Sequence, residues 1–196
     1  MDTAQRILDV AERLVQKRGF NGFSYADIAA ELGITTASLH YHFATKAQLG
    51  EALIDRYTQR FNEALAAIEA RPDPAPAKLA AYADLYAGVL QAERLCLCGM
   101  LAADYDTLPD GMRTSVVEFF DENEVWLARV LEKGLEDGTL RYQGSAVEAA
   151  RVIVCALEGA MLVARPYGDS ARFQSAAARL VEGLSAEPQT GESTGR

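Results

Sequence analysis

Histidine is almost missing from this chain. Only His40 and His42 are present among 196 residues, and both fall in one short segment. Histidine-based acid–base catalysis or a histidine metal cluster elsewhere is thereby excluded. Cysteine is scarce too. Cys96, Cys98 and Cys155 are too few, and odd in number, for a disulfide framework, which fits a reducing, cytoplasmic setting. No run of 18 apolar residues occurs, so no membrane span is expected. The polar start Met1-Asp2-Thr3-Ala4-Gln5-Arg6 leads straight into a helical pattern and does not read as a signal peptide. No glycine-rich phosphate loop is found. On these grounds neither an enzyme, a cofactor nor a metal site is expected.

Charge of one sign is unevenly distributed. The net charge is −9, yet residues 1–60 carry seven basic and seven acidic side chains, and the remainder carries 12 basic against 21 acidic. A polyanion is repelled by the second part and tolerated by the first, where Arg6, Lys17, Arg18 and Lys46 offer local positive charge.

Apolar periodicity is helical throughout. The first helix spans about 4–18, with Ile7, Leu8, Ala11, Leu14 and Val15 on one face and Gly19 as its stop. Ser24 and Asp27 have capping-box spacing for a second helix whose inner face is Ile28, Ala29 and Leu32. Gly33 turns the chain, Thr35 caps a short third helix, and Thr45 with Gln48 forms another capping box. The fourth helix keeps Leu49, Leu53, Tyr57, Phe61, Leu65 and Ile68 in step up to the linker Pro72-Asp73-Pro74-Ala75-Pro76. The third helix, T-A-S-L-H-Y-H-F, displays hydroxyls, histidines and an aromatic where a solvated helix usually carries Glu, Lys and Arg. Such side chains bond to phosphates and base edges, as the second helix of a helix-turn-helix does.

The ordered run R-G-F, F-S-Y-A-D-I-A-A-E-L-G-I, T-T-A-S-L-H-Y-H-F-A-T-K-A-Q-L over about residues 5–55 resembles the DNA-binding domain of the TetR/AcrR family of repressors. The resemblance implies an all-α fold of about nine helices. It places a three-helix helix-turn-helix domain at 1–47 and a ligand-binding and dimerisation domain at 48–186; the polar end at 187–196, with Gly, Pro, Ser and Thr, reads by composition as a disordered tail. It further implies a homodimer on double-stranded DNA with an inverted-repeat operator. Thr36 and His40 would face bases, and Thr35, Ser38, Tyr41, His42 and Lys46 would lie near phosphates. Ser24 would meet the backbone from the second helix, and Ala37 would allow close approach. Related members often carry Lys at the position of Thr36, Tyr at that of His40 and Gly at that of Ala37, so base preference does not transfer.

Beyond Pro72, five further helices are expected: three at about 77–91, 95–105 and 111–136, an eighth capped by Ser145 with Glu148 and ending before Pro166, and a ninth capped by Asp169 and carrying Phe173, Leu180, Val181 and Leu184. The resemblance places a small-molecule effector, apolar or aromatic, among Tyr82, Tyr86, Met100, Phe119, Asn123 and Trp126. Asn123 either orients that ligand or faces water. The eighth helix is apolar around more than one face. It is either wholly internal or, as the resemblance implies, part of a dimer interface built from Ala156, Gly159, Ala160, Val163, Phe173 and Leu180. Cys96 and Cys98 keep a thiol-sensing alternative open. At helical spacing, positions two apart point away from each other, so one thiol should be buried where the other is exposed.

Overall fold

The computed structural model describes residues 2–186; the tail expected at 187–196 lies outside them. Local chemistry sets most helix starts. α1 (Thr3–Arg18) ends at Gly19, whose positive φ of 78° a side chain would strain. A single 3-10 turn, Phe20–Gly22, leads to α2 (Tyr25–Leu32), which opens on the Ser24/Asp27 capping box. α3 (Thr36–His42) is capped by the Thr35 hydroxyl, which accepts from the Ser38 amide at 3.2 Å. α4 (Lys46–Glu69) is capped by Thr45, but the Gln48 side chain accepts from the Ala44 amide instead of closing the box on Thr45. α5 (Ala75–Gln91) starts two residues before its expected position, because Pro76 is acceptable in a first turn where amides have no partner. α6 (Leu97–Ala103), α7 (Asp110–Glu136), α8 (Ala146–Ala164) and α9 (Ser170–Leu184) complete the chain; α8 opens on the Ser145/Glu148 capping box and α9 on Asp169. Among the described residues the only β-type pairing is the isolated Leu140–Ser185 bridge.

α1 to α3 pack Ile7, Ala11, Val15, Ile28 and Leu39 onto the start of α4, where Leu49, Leu53 and Ile54 close the first core. The rest of α4 lies on α7, and α5, α7, α8 and α9 enclose the second core. Two polar ties fix the N-terminal helices to the remainder. In the first, the nearly buried Glu12 of α1 pairs with Arg56 (2.8 Å) and Arg60 (2.7 Å) of α4, and Arg56 also reaches Asp9. In the second, the Asp104 carboxylate accepts from the Phe20 amide at 2.7 Å, while Asn21 donates to Thr107 at 2.7 Å. The segment joining α6 to α7 is thereby bonded directly to the turn between α1 and α2.

Two expectations are corrected here. α6 begins at Leu97, so Cys96 is its N-cap, with extended backbone (φ −52°, ψ 133°), and its side chain does not follow the helical direction. Cys96 and Cys98 are consequently both buried, rather than one in and one out. Asn123 does not face water; it is 1% exposed.

Candidate nucleic-acid interface and interior site

α3 buries only Leu39 and turns the rest of its surface outward. Thr35, Thr36, Ala37 and His40 are exposed, Ser38 and His42 half-buried, and Tyr41 is 86% exposed. An aromatic ring left that far in water contributes nothing to the core. His40 is oriented from two sides: its ring lies 4.8 Å from that of Tyr25, and Nδ1 sits 3.1 Å from the Ala44 carbonyl oxygen. A carbonyl only accepts, so Nδ1 carries the hydrogen, and in the neutral ring Nε2 is an acceptor.

Ser24 is exposed, but its hydroxyl donates to Asp27 (2.6 Å), which keeps it occupied as a cap. Hydrogen bonds from the Ser24 hydroxyl and amide hold the Asp27 carboxyl below its usual range. Lys46 differs most from its expected place. Its ammonium donates to the Phe20 and Phe23 carbonyls at 2.6 and 2.5 Å and lies over both rings. Burial lowers its pKa, with Asp104 and Asp27 opposing. Lys17 pairs with Glu93 at 3.7 Å and Arg18 lies 4.0 Å from Asp27, so part of the positive charge read from composition is matched within the chain.

The expected effector residues come together. Tyr82 donates to the Asn123 side-chain oxygen at 3.0 Å, Tyr86 lies 3.1 Å from the Tyr82 hydroxyl, and Asn123 donates to the Phe119 carbonyl at 2.7 Å. The Tyr82 and Trp126 rings stack at 5.7 Å, and Phe61 meets Tyr82, Tyr86 and Phe119 edge-on. Met100 is half-buried against the hydrophobic core. Burial keeps the Tyr82 and Tyr86 phenols protonated, far above the ordinary range. The Trp126 indole N–H is buried without an acceptor. Outside the cluster, α4 and α7 leave a groove of about 580 Å³ that reaches Phe119 between Asp55, Glu63, Glu118 and Glu122.

Comparison with known proteins decides the family. Residues 7–53 match the family of bacterial regulatory proteins described as tetR, and residues 75–180 match a tetracyclin repressor-like C-terminal domain. The chain belongs to the TetR family. A TetR-family transcriptional regulator from Agrobacterium tumefaciens has a similar structure, with a TM-score of 0.90 and 34% identity, over 93% of this chain and 97% of that one. A TetR regulator from Legionella pneumophila superposes with a TM-score of 0.86 at 34% identity, over 94% and 98%. The regulator LmrA of Bacillus subtilis is 28% identical over 83% of this chain and 86% of its own length. TtgR of Pseudomonas putida is 33% identical over 38% of this chain, and the match spans about a third of TtgR. This TetR-family protein is thus a DNA-binding transcriptional regulator and not an enzyme.

From Val152 onward the regulator's α8 is apolar where it meets solvent: Val152, Leu162 and Val163 are each about 60% exposed, with Ala156 and Gly159 exposed between them. Ala160 and Leu180 are half-buried. Phe173, expected at a partner surface, is instead buried within the subunit, because α9 turns Phe173 and Ala177 onto α5 and α8. Sequence reasoning missed Tyr57, Phe61, Cys96 and Glu158 as interior-site residues. The Tyr57 hydroxyl donates to the Cys96 sulfur at 3.6 Å, and burial raises the Cys96 thiol well above its usual range, with Glu158 adding to the effect. A thiol in that state is a poor nucleophile, which removes the basis of the redox alternative. Glu158 had a visible signal: it is the single charged residue between Val152 and Ala164.

Proposed function

We propose that the protein is a ligand-responsive repressor that binds an inverted-repeat operator as a homodimer, with α3 of each subunit in the major groove. The exposed face of α3, with Tyr41 in water beside the fixed His40 ring, carries this reading. Thr36 and His40 address base edges. Thr35, Ser38, Tyr41 and His42 address phosphates, with Ala37 allowing close approach. The acceptor at His40 Nε2 favours a base with an exocyclic amino group, adenine or cytosine. The reading unit is residues 1–47 and the regulatory unit 48–186, acting in the cytoplasm. The solvent-facing apolar stripe of α8 supports the dimer, since a stripe of this size is covered in a stable assembly.

A small apolar or aromatic effector enters the Tyr82–Tyr86–Phe119–Asn123–Trp126 cluster from the α4–α7 groove. The cluster leaves little free space, so a ligand must displace α4, α6 or α7. Both α4 and the α6–α7 segment are bonded to the N-terminal helices through Glu12 and Asp104, so displacement alters the spacing of the two reading helices. A coupling of about 1–3 kcal/mol suffices for release. Binding-site selection with the purified protein tests the reading. An inverted repeat is expected, with one base preference lost in His40→Ala. A single half-site bound as tightly as the full repeat would overturn it.

A further inference from the structure

Glu158 is the one charged side chain on the apolar length of α8, and it lies at the interior site. Its carboxylate rests on the α6 backbone at Gly99, so close that a Cβ there would overlap it. Glycine inside a helix costs about 1 kcal/mol relative to alanine, and here it leaves room for the carboxylate. Its Oε1 is buried with no hydrogen-bond partner. No cation among the described residues pairs with it. Its facing groups are Tyr57 on α4, Tyr82 and Tyr86 on α5, and Cys96 and Cys98 at the start of α6, all of them neutral. A carboxylate buried without a counter-charge is destabilising.

We propose that Glu158 is the anion that fixes a positively charged group of the effector, so that the effector is an organic cation with an apolar or aromatic body. The proposal rests on the reading that the aromatic cluster receives the effector, and it adds the charge. Three further observations agree. Tyr57, Tyr82 and Tyr86 bring to the interior cluster aromatic rings, whose faces attract cations. The α4–α7 groove is rimmed by Asp55, Glu63, Glu118 and Glu122, which would draw in a cation and repel an anion. Burial pushes the Glu158 carboxyl up to about 7, so near neutral pH the group is only partly ionised, and a cation supplies what its ionised form lacks.

Trp126 is the only tryptophan in the chain and stacks on Tyr82, so its fluorescence reports occupancy of the cluster. The full-length protein is titrated with tetraphenylphosphonium, its near-isosteric anion tetraphenylborate, and the smaller cation benzyltrimethylammonium. At least one cation should give a saturable change in Trp126 emission. Tetraphenylborate should bind about tenfold or more weakly than the cations, and E158Q should lose about tenfold in cation affinity. The wild-type comparison of phosphonium with borate does not depend on how E158Q folds. If the borate binds as tightly as the cations, or E158Q binds them unchanged, the charge assignment is wrong and the interior site remains. If none of the three probes perturbs Trp126, both the assignment and the interior site fall. An E158Q protein that dimerises less tightly in sedimentation yet binds the cation normally would move the carboxylate to the subunit interface and overturn the proposal.

Discussion

Replacing Glu158 with glutamine should make the regulator more stable, and by an amount that depends on pH in a stated direction. The folded carboxyl is raised from 4.5 to about 7 by burial. The folded state therefore holds a proton that the unfolded chain releases between those two values. Stability of the native sequence falls as pH rises through that window and is level above it. At about 1.4 kcal/mol per pH unit, the wild-type protein carries a deficit on the order of 3 kcal/mol at pH 8 and under about 1 kcal/mol at pH 5. Glutamine keeps the shape and has no charge to desolvate, so the E158Q advantage should grow from pH 5 to pH 8 by about 2–3 kcal/mol. For a chain of this length that is a difference of roughly 5–10 °C in Tm. Denaturant unfolding followed by circular dichroism at fixed protein concentration, for both proteins at four pH values, isolates the term, because the other titrating groups cancel in the difference. An advantage that does not change with pH, or a variant less stable than wild type at pH 8, would refute the reasoning.

Three other perturbations have clear outcomes. Lys46→Met keeps the stem over Phe20 and Phe23 but leaves two carbonyls without their donor; unfolding should show a loss of about 1–3 kcal/mol. The salt dependence of operator binding should keep its slope, whereas a slope reduced by about 0.9 would mean that this ammonium contacts a phosphate. Tyr41→Ala should leave the melting temperature nearly unchanged, within about 0.5 kcal/mol, while weakening binding to every DNA sequence tested; unchanged DNA affinity would remove Tyr41 from the interface. Asp104→Ala removes the acceptor of the Phe20 amide and should cost about 1–2 kcal/mol of stability and reduce operator affinity; an unaltered operator titration would show that the tie does not position the reading helices.

What could be read from the sequence was what depends on near neighbours. Ser24 and Asp27, Thr35 and Ser38, and Ser145 and Glu148 act over three residues, and each cap forms where its spacing placed it. Gly19 and Gly33 end their helices with positive φ for the same local reason. The exposure of the α3 face and the gathering of Tyr82, Tyr86, Phe119, Asn123 and Trp126 followed from helical periodicity together with the family resemblance. Long-range partners could not be read. Lys46 turns inward because two carbonyls and two rings 23–26 residues earlier lie beneath it. Asn123 is dry because Tyr82, 41 residues away, donates to it. The start of α6 was misplaced by two residues because Cys96 is an unusual N-cap, and the orientation of both thiols changed with it.

The bond between Asp104 and the Phe20 amide has a consequence for protein engineering. Reading heads are natural parts to exchange between relatives, and a cut near residue 47 looks clean in the sequence. Yet a transplanted head would arrive without Asp104 and Thr107, which stay behind in the rest of this chain, and its own Phe20–Gly22 turn would meet whatever side chains the recipient has there. A hybrid that grafts residues 1–47 from this regulator should therefore keep its operator but respond weakly to the recipient's inducer, until an Asp and a Thr are installed in the recipient's α6–α7 segment.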